Sequence, residues 1–227
     1  MCGKIAALSI LLLFIGLSRG AAFAPSTLSR HSRLLRGQRL SAMAESKTSR
    51  VVIVPGNGCT PITTANWYNW LKKSLEKEGV QVSMQDMPDP YEAKQTIWLP
   101  FLRDVLKADE QSIIVGHSSG AEAAMRYAEE NKVRGLVLVA ACHTDLGHPS
   151  EAISGYYDRP WLWDKMKGNI GFASQFADKE DCFIPFAEAQ VVHKGLDTEL
   201  IASTRGDHFM VQEFPELLEH IKLKLES

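Results

Sequence analysis

The stretch Ser112-Ile113-Ile114-Val115-Gly116-His117-Ser118-Ser119-Gly120-Ala121-Glu122-Ala123-Ala124-Met125 decides how this chain is read. Three β-branched residues in succession fit a buried strand, and the alanine-rich run after Gly120 fits the start of a helix. A G-x-S-x-G string between a strand and a helix is a nucleophile elbow, because the tight turn strains the central serine, Ser118, and exposes its hydroxyl. Gly116 and Gly120 leave room for the strand and the helix to approach closely. An ordinary βα turn could carry the same string, so the rest of the chain must supply the partners that such a serine needs.

Composition sets the outer bounds. The 227 residues are 45% hydrophobic and 23% charged, enough for one substantial core. Residues 1–50 hold eight Lys or Arg and one acid, leaving 17 basic and 26 acidic residues in 51–227, a net charge of −9. An acidic body without a basic stripe argues against nucleic acid as a partner. The four cysteines, Cys2, Cys59, Cys142 and Cys182, form no C-x-x-C pair, so neither a zinc cluster nor a disulfide framework is expected. No cofactor is expected either.

The first 50 residues read as a leader. Lys4, the apolar run Ile5 to Leu17 and the small residues Gly20, Ala21 and Ala22 have the layout of a secretory signal over 1–22, too short for a membrane span. Residues 23–50 are rich in Ser and Arg, with Glu45 as their only acid, which is the composition of a transit peptide. The junction Ala21-Ala22-Phe23-Ala24-Pro25 resembles the cleavage motif of bipartite leaders that direct proteins into complex plastids of red-algal descent. The expected destination is a plastid reached through the secretory route, with secretion as the alternative. No stable membrane association is expected once the leader is removed.

From Val51 onward β-branched runs alternate with helical patterns, the texture of an α/β domain over 51–227. Strands are expected at 51–54, 80–84, 112–117, 136–140, 170–176 and 199–202, and helices at 66–78, 92–106 (kinked or divided at Pro100), 119–131 and 215–225. Crossover helices between parallel strands give right-handed βαβ units and a central sheet covered on both faces.

A serine hydroxyl needs a base within hydrogen-bond reach, itself oriented by a third group. In an α/β-hydrolase the acid and then the histidine follow the serine along the chain. Five histidines lie downstream of Ser118. His143 and His148 come directly after the next strand, His193 sits near a helix end and His220 within the final helix. His208, in Thr204-Arg205-Gly206-Asp207-His208-Phe209 between the last strand and the final helix, occupies the place of the base. For the acid, the loop after the fifth strand offers Asp178, Glu180 and Asp181; Asp181 is preferred, and Asp207 is too close to His208 in sequence to reach its ring easily. The oxyanion donors expected are the Ser119 backbone N–H and one from Pro55-Gly56-Asn57-Gly58-Cys59, where Asn57, Gly58 and Cys59 are the candidates.

The chain also resembles the small serine-hydrolase family typified by retinoblastoma-binding protein nine, through nearly all of residues 51–225. The likeness rests on Val54-Pro55-Gly56-Asn57-Gly58, Trp67-Tyr68-Asn69-Trp70, Met87-Pro88-Asp89-Pro90, Ile97-Trp98-Leu99-Pro100-Phe101, Gly116-His117-Ser118-Ser119-Gly120, and Gly155-Tyr156-Tyr157 with Arg159-Pro160-Trp161. It implies a compact α/β-hydrolase with a mostly parallel sheet of about six strands, helices on both faces, and a triad on Ser118, Asp181 and His208. Two departures stand out. Glu180-Asp181-Cys182 replaces the family's Asp-Asp-Pro, and Leu106-Lys107-Ala108-Asp109-Glu110 lacks the cysteine of an L-x-C-x-E pocket-binding motif.

Between the fourth strand and the acid loop, Tyr156, Trp161 and Trp163 are expected to line an apolar substrate pocket, with core anchoring as the alternative. The expected activity is hydrolysis of small carboxylesters or amides through an acyl-enzyme. The competing reading is a non-catalytic protein-binding module that retains the fold.

Overall fold

Strand and helix alternate along the chain in this computed structural model, which describes residues 49–227. The leader expected over 1–50 lies outside the described residues except for its last two, and Arg50 already begins the first strand. The strands are β1 (Arg50–Val54), β2 (Gln81–Ser83), β3 (Ser112–His117), β4 (Gly135–Val139), β5 (Ala173–Asp178) and β6 (Glu199–Ser203). The helices are α1 (Tyr68–Lys77), α2 (Gln95–Asp104), α3 (Ser119–Glu130), α4 (Pro149–Ala152), α5 (Trp163–Asn169), α6 (Phe186–Leu196) and α7 (Pro215–Glu226). One six-stranded sheet in the order β2-β1-β3-β4-β5-β6 is parallel at every pairing, as the buried β-branched runs imply.

Alternation along each strand divides the core between two layers. In β1, Val52 and Val54 face one layer while Val51 and Ile53 face the other, and in β4 Leu136 and Leu138 oppose Val137 and Val139 in the same way. The first layer is closed by Trp98 and Leu102 of α2, by the alanine face of α3, and by Val192 and Leu196 of α6. Leu71 and Leu75 of α1 and Leu217 and Ile221 of α7 close the second. No helix among the described residues is long and apolar enough to cross a membrane.

Two expectations need adjustment. Helix α2 is shorter than 92–106 and runs through Pro100 undivided, held down by the fully buried Trp98 and Leu102 on either side of it. The fifth strand starts at Ala173, because Ile170 makes only an isolated bridge to Val133, and it continues to Asp178. Asp178 is therefore the last residue of a central strand.

β3 and α3 meet at Ser118, whose φ of 52° and ψ of −126° are unusual for a residue with a side chain. The neighbouring glycines make that turn sterically possible. A Cβ on Gly116 would overlap the Gly120 carbonyl oxygen, and one on Gly120 would overlap the carbonyl oxygens of Val54 and Pro55. Gly120→Ala should therefore cost about 1–3 kcal/mol. Gly168→Ala in α5, where a methyl would meet nothing within 4 Å, should be neutral or gain about 0.5 kcal/mol. Thermal unfolding of the two variants against wild type checks this, and equal effects would refute the packing argument.

Candidate active site

The C-terminal ends of β1, β3, β4 and β5 converge on a cleft of about 530 Å³. Open parallel sheets bind ligands at this edge, where loops are free to carry chemistry. Ser118 and His208 both border it, as do Asn57, Glu122 and Glu151. The Ser118 N–H donates to the Val139 carbonyl at 2.9 Å, tying the strained turn to the end of β4. Ser119 opens α3 and is buried, and its backbone N–H has no hydrogen-bond partner among the described residues.

His208 and Asp181 come together from different loops. Nδ1 of His208 lies 2.8 Å from Oδ2 of Asp181, with the two side chains 8% and 3% exposed. The other Asp181 oxygen accepts the backbone N–H groups of Phe183 at 2.8 Å and Ile184 at 3.0 Å. Burial alone would raise this carboxyl, but His208 and the two amides outweigh it and hold Asp181 below the usual carboxylate range. Since Asp181 is thereby an acceptor, His208 presents Nδ1–H to it and keeps Nε2 for other partners.

Two of the rival acids, Asp178 and Asp207, have other partners. Asp178 accepts from Ser203 Oγ at 2.6 Å, from the N–H groups of Arg205 at 2.6 Å and Gly206 at 3.2 Å, and from that of Glu180 at 2.8 Å. It pins the start of the loop that delivers His208. Asp207 caps its own turn by accepting the Phe209 N–H at 2.9 Å. Among the other histidines, His148 borders the cleft, His193 bonds to Thr198 and His220 packs edge-on against Phe176.

The glycine loop after β1 can be resolved amide by amide. The Gly56 N–H donates to the Tyr68 hydroxyl at 3.1 Å, Gly58 N–H to the Pro90 carbonyl at 2.6 Å, and Cys59 N–H to the Gly56 carbonyl at 3.3 Å. Gly58 and Cys59 thus have their donors engaged. The Asn57 N–H is without a partner among the described residues, and its side-chain amide donates to Glu151 at 3.1 Å.

Two polar residues of the site escaped the sequence reading. The His117 ring has its Nε2 2.9 Å from the His208 carbonyl and its Nδ1 2.6 Å from the Tyr68 hydroxyl. A carbonyl can only accept, so Nε2 carries the proton and Nδ1 accepts from Tyr68. Burial first, and then the nearby His208 ring at a centroid distance of 5.0 Å, push His117 down to about 3 despite its bond to the His208 carbonyl. This histidine is neutral across the physiological range. Both residues stand in strings quoted for the family likeness, but nothing in their spacing indicates that they meet.

The aromatic cluster corrects the pocket expectation. Tyr156, Trp161 and Trp163 do not border the cleft. Tyr156 is fully buried, and its carbonyl accepts from Nε of the buried Arg126 at 2.8 Å. The Arg126 guanidinium stacks 3.7 Å from the Trp161 ring centre, and Trp163 stacks on Trp161 in turn. The cluster anchors the β4–β5 insertion to α3, and the apolar rim of the cleft is formed instead by residues such as Phe183, Ile184 and Met210.

Comparison with known proteins agrees with this architecture. The model of the family described as serine hydrolase matches residues 51–226. The chain is 47% identical over 178 residues to the serine hydrolase RBBP9 of Rattus norvegicus, covering 78% of this chain and 96% of that protein. It is 29% identical over 174 residues to the putative hydrolase YdeN of Bacillus subtilis, covering 73% and 88%. The crystal structure of the ydeN gene product from B. subtilis superposes with a TM-score of 0.72 at 24% identity, over 79% of this chain and all of that one. An esterase from Exiguobacterium antarcticum shares the fold at a TM-score of 0.56 and 18% identity, over 79% and 92%. With a family model spanning the whole domain and a relative so similar along nearly its full length, the chain belongs to the serine hydrolase family.

Proposed function

We propose that the protein hydrolyses small carboxylesters or amides through an acyl-enzyme on Ser118, with His208 as base and Asp181 as its orienting acid. The observation that carries this reading is the 2.8 Å His208–Asp181 pair beside the cleft that holds the strained serine. Ser118 Oγ attacks the scissile carbonyl carbon as its proton passes to Nε2 of His208. The developing oxyanion is received by the N–H groups of Ser119 and Asn57, whose donors are unspent. Collapse expels the leaving group, which takes the proton from His208, and a water activated by the same nitrogen then releases the acid. A fluorophosphonate probe should label wild type and not Ser118→Ala. Asp181→Asn should lower kcat by about 10³–10⁴ on any ester turned over, since the wrong imidazole tautomer would face the serine. Labelling of Ser118→Ala at the wild-type rate would exclude Ser118 as nucleophile.

His117 acts in this reading as a positioning residue: its neutral ring fixes the carbonyl of the base itself. Unfolded, such an imidazole takes a proton near its ordinary value of 6.5, whereas here it does so only at about 3. Its contribution to stability is therefore full above pH 6.5 and is lost as pH falls toward 3. Between pH 7 and pH 5 the loss should be about 2 kcal/mol. Urea unfolding at both values should show this loss in wild type and not in His117→Gln; parallel losses in both proteins would rule the assignment out.

The leader belongs to the same proposal as a plastid address, supported by its Ala21-Ala22-Phe23-Ala24-Pro25 junction. Residues 1–50 fused to a fluorescent protein should reach the plastid of an alga with a complex plastid, and replacing Phe23 by Ala should stop the fusion short of it. Secretion of the unmodified fusion would overturn the address.

A further inference from the structure

The β4–β5 insertion borders the cleft through residues 145–153, a segment that includes α4 and has little to hold it. The insertion is tied down at both ends. At its start the N–H groups of His143 and Thr144 donate to Glu188 of α6 at 2.9 and 3.0 Å, and at its end the Ser154 carbonyl accepts the Gln95 N–H at 2.9 Å. Between these anchors α4 buries none of its four residues, and Pro149, Ser150 and Ala152 are exposed. The hydrogen bonds of 145–153 run to one another or to immediate chain neighbours, with one exception among the described residues. The Asn57 side-chain amide donates to Oε1 of Glu151 at 3.1 Å, across 94 positions of sequence. Both residues border the cleft.

The donor in that bond belongs to the residue whose backbone N–H is unspent. Asn57 and Gly58 are the central residues of the turn that the Cys59 N–H closes on the Gly56 carbonyl, and the amides of Gly56 and Gly58 are taken by the Tyr68 hydroxyl and the Pro90 carbonyl. Backbone bonds therefore fix the turn on each side of Asn57, and at Asn57 itself the tether is the side chain. Its N–H and its Cβ leave the same Cα, so holding the side chain limits the directions in which the N–H can swing. A donor stabilises an oxyanion most when it is already aimed before charge develops. The Glu151 charge alone would work against negative charge in the cleft, so what this carboxylate can add there is geometry.

We propose that Glu151 is a positioning residue for the oxyanion donor: through the Asn57 side chain it holds the Asn57 N–H toward the carbonyl that Ser118 attacks, and α4 is the strap that carries it. This deepens the reading of Ser118 as nucleophile and rests on it. The test measures hydrolysis of p-nitrophenyl acetate per site titrated with a fluorophosphonate, so that misfolded protein is not counted. Glu151→Ala should lower kcat roughly tenfold at nearly constant KM, short of the roughly hundredfold or more that follows from deleting a donor outright. Asn57→Ala keeps its backbone N–H but loses the tether, so it should show the same loss, and the double variant should show no more than either single one. Glu151→Gln keeps an acceptor and should recover kcat to within roughly threefold of wild type. A structural role alone would lower the titrated fraction and the melting temperature and leave kcat per site unchanged. Should Glu151→Ala fail to fold, the fall of kcat in Asn57→Ala with its KM held is the deciding result. A kcat in the Ala variants at or above wild type, a Gln variant as slow as Glu151→Ala, or multiplied losses in the double variant would overturn the proposal. If wild type is labelled but does not turn over the ester, the same comparisons are made on the rate of labelling, whose phosphonyl oxygen draws on the same donors. Labelling with no difference among the variants would overturn this proposal alone. The absence of both labelling and turnover in wild type would remove the nucleophile assignment and this proposal with it.

Discussion

The close approach of α3 to the ends of β3 and β1 is the contact on which the site depends. Ser118 is held at a positive φ, a conformation that costs of order 1–3 kcal/mol for a residue with a side chain. It persists because Gly116 and Gly120 let three backbones come within contact of one another and because the Ser118 amide is bonded to the end of β4. The strain lies at a residue that borders the cleft. Relaxing that turn would move the Ser119 amide together with the Ser118 hydroxyl, since the two residues are adjacent at the start of α3.

The acids after β5 show how similar side chains on adjacent positions acquire different work. Asp178 ends a buried strand and collects four hydrogen bonds, one from the last residue of β6 and two from the loop before His208, so its role is to shape that loop. Asp181, three residues on, spends one oxygen on two amides of its own loop and turns the other to the imidazole. One aspartate fixes where the histidine's loop runs, and the other fixes which way its ring faces.

Much of this was legible in the sequence. The β-branched runs located the six strands to within a few residues, because buried parallel strands leave little choice of side chain. The glycine spacing gave the elbow, and chain order pointed to His208 and Asp181, which the fold then brings into contact. What could not be read depends on contacts between distant residues. Tyr156, Trp161 and Trp163 look alike as core anchors or pocket lining, and the decision turns on Arg126, whose burial beneath Trp161 no local pattern announces. In the same way Gly58 looked as suitable an amide donor as Asn57 until the Pro90 carbonyl was found to occupy it.

The unanticipated pair, Tyr68 and His117, joins the two halves of the site. The Gly56 amide donates to the Tyr68 hydroxyl, which donates to Nδ1 of His117, whose Nε2–H donates to the His208 carbonyl. Each group in this chain has its direction set by its neighbour, since an amide can only donate and a carbonyl can only accept. A protonated His117 would present a second donor to the Tyr68 hydroxyl, and that hydroxyl could no longer donate to it. The loop that carries Asn57 and the backbone of His208 would then lose their common strut. A histidine inside the G-x-S-x-G string is thus held neutral by its burial, and in that state its ring ties the glycine loop after β1, through Tyr68, to the backbone of His208.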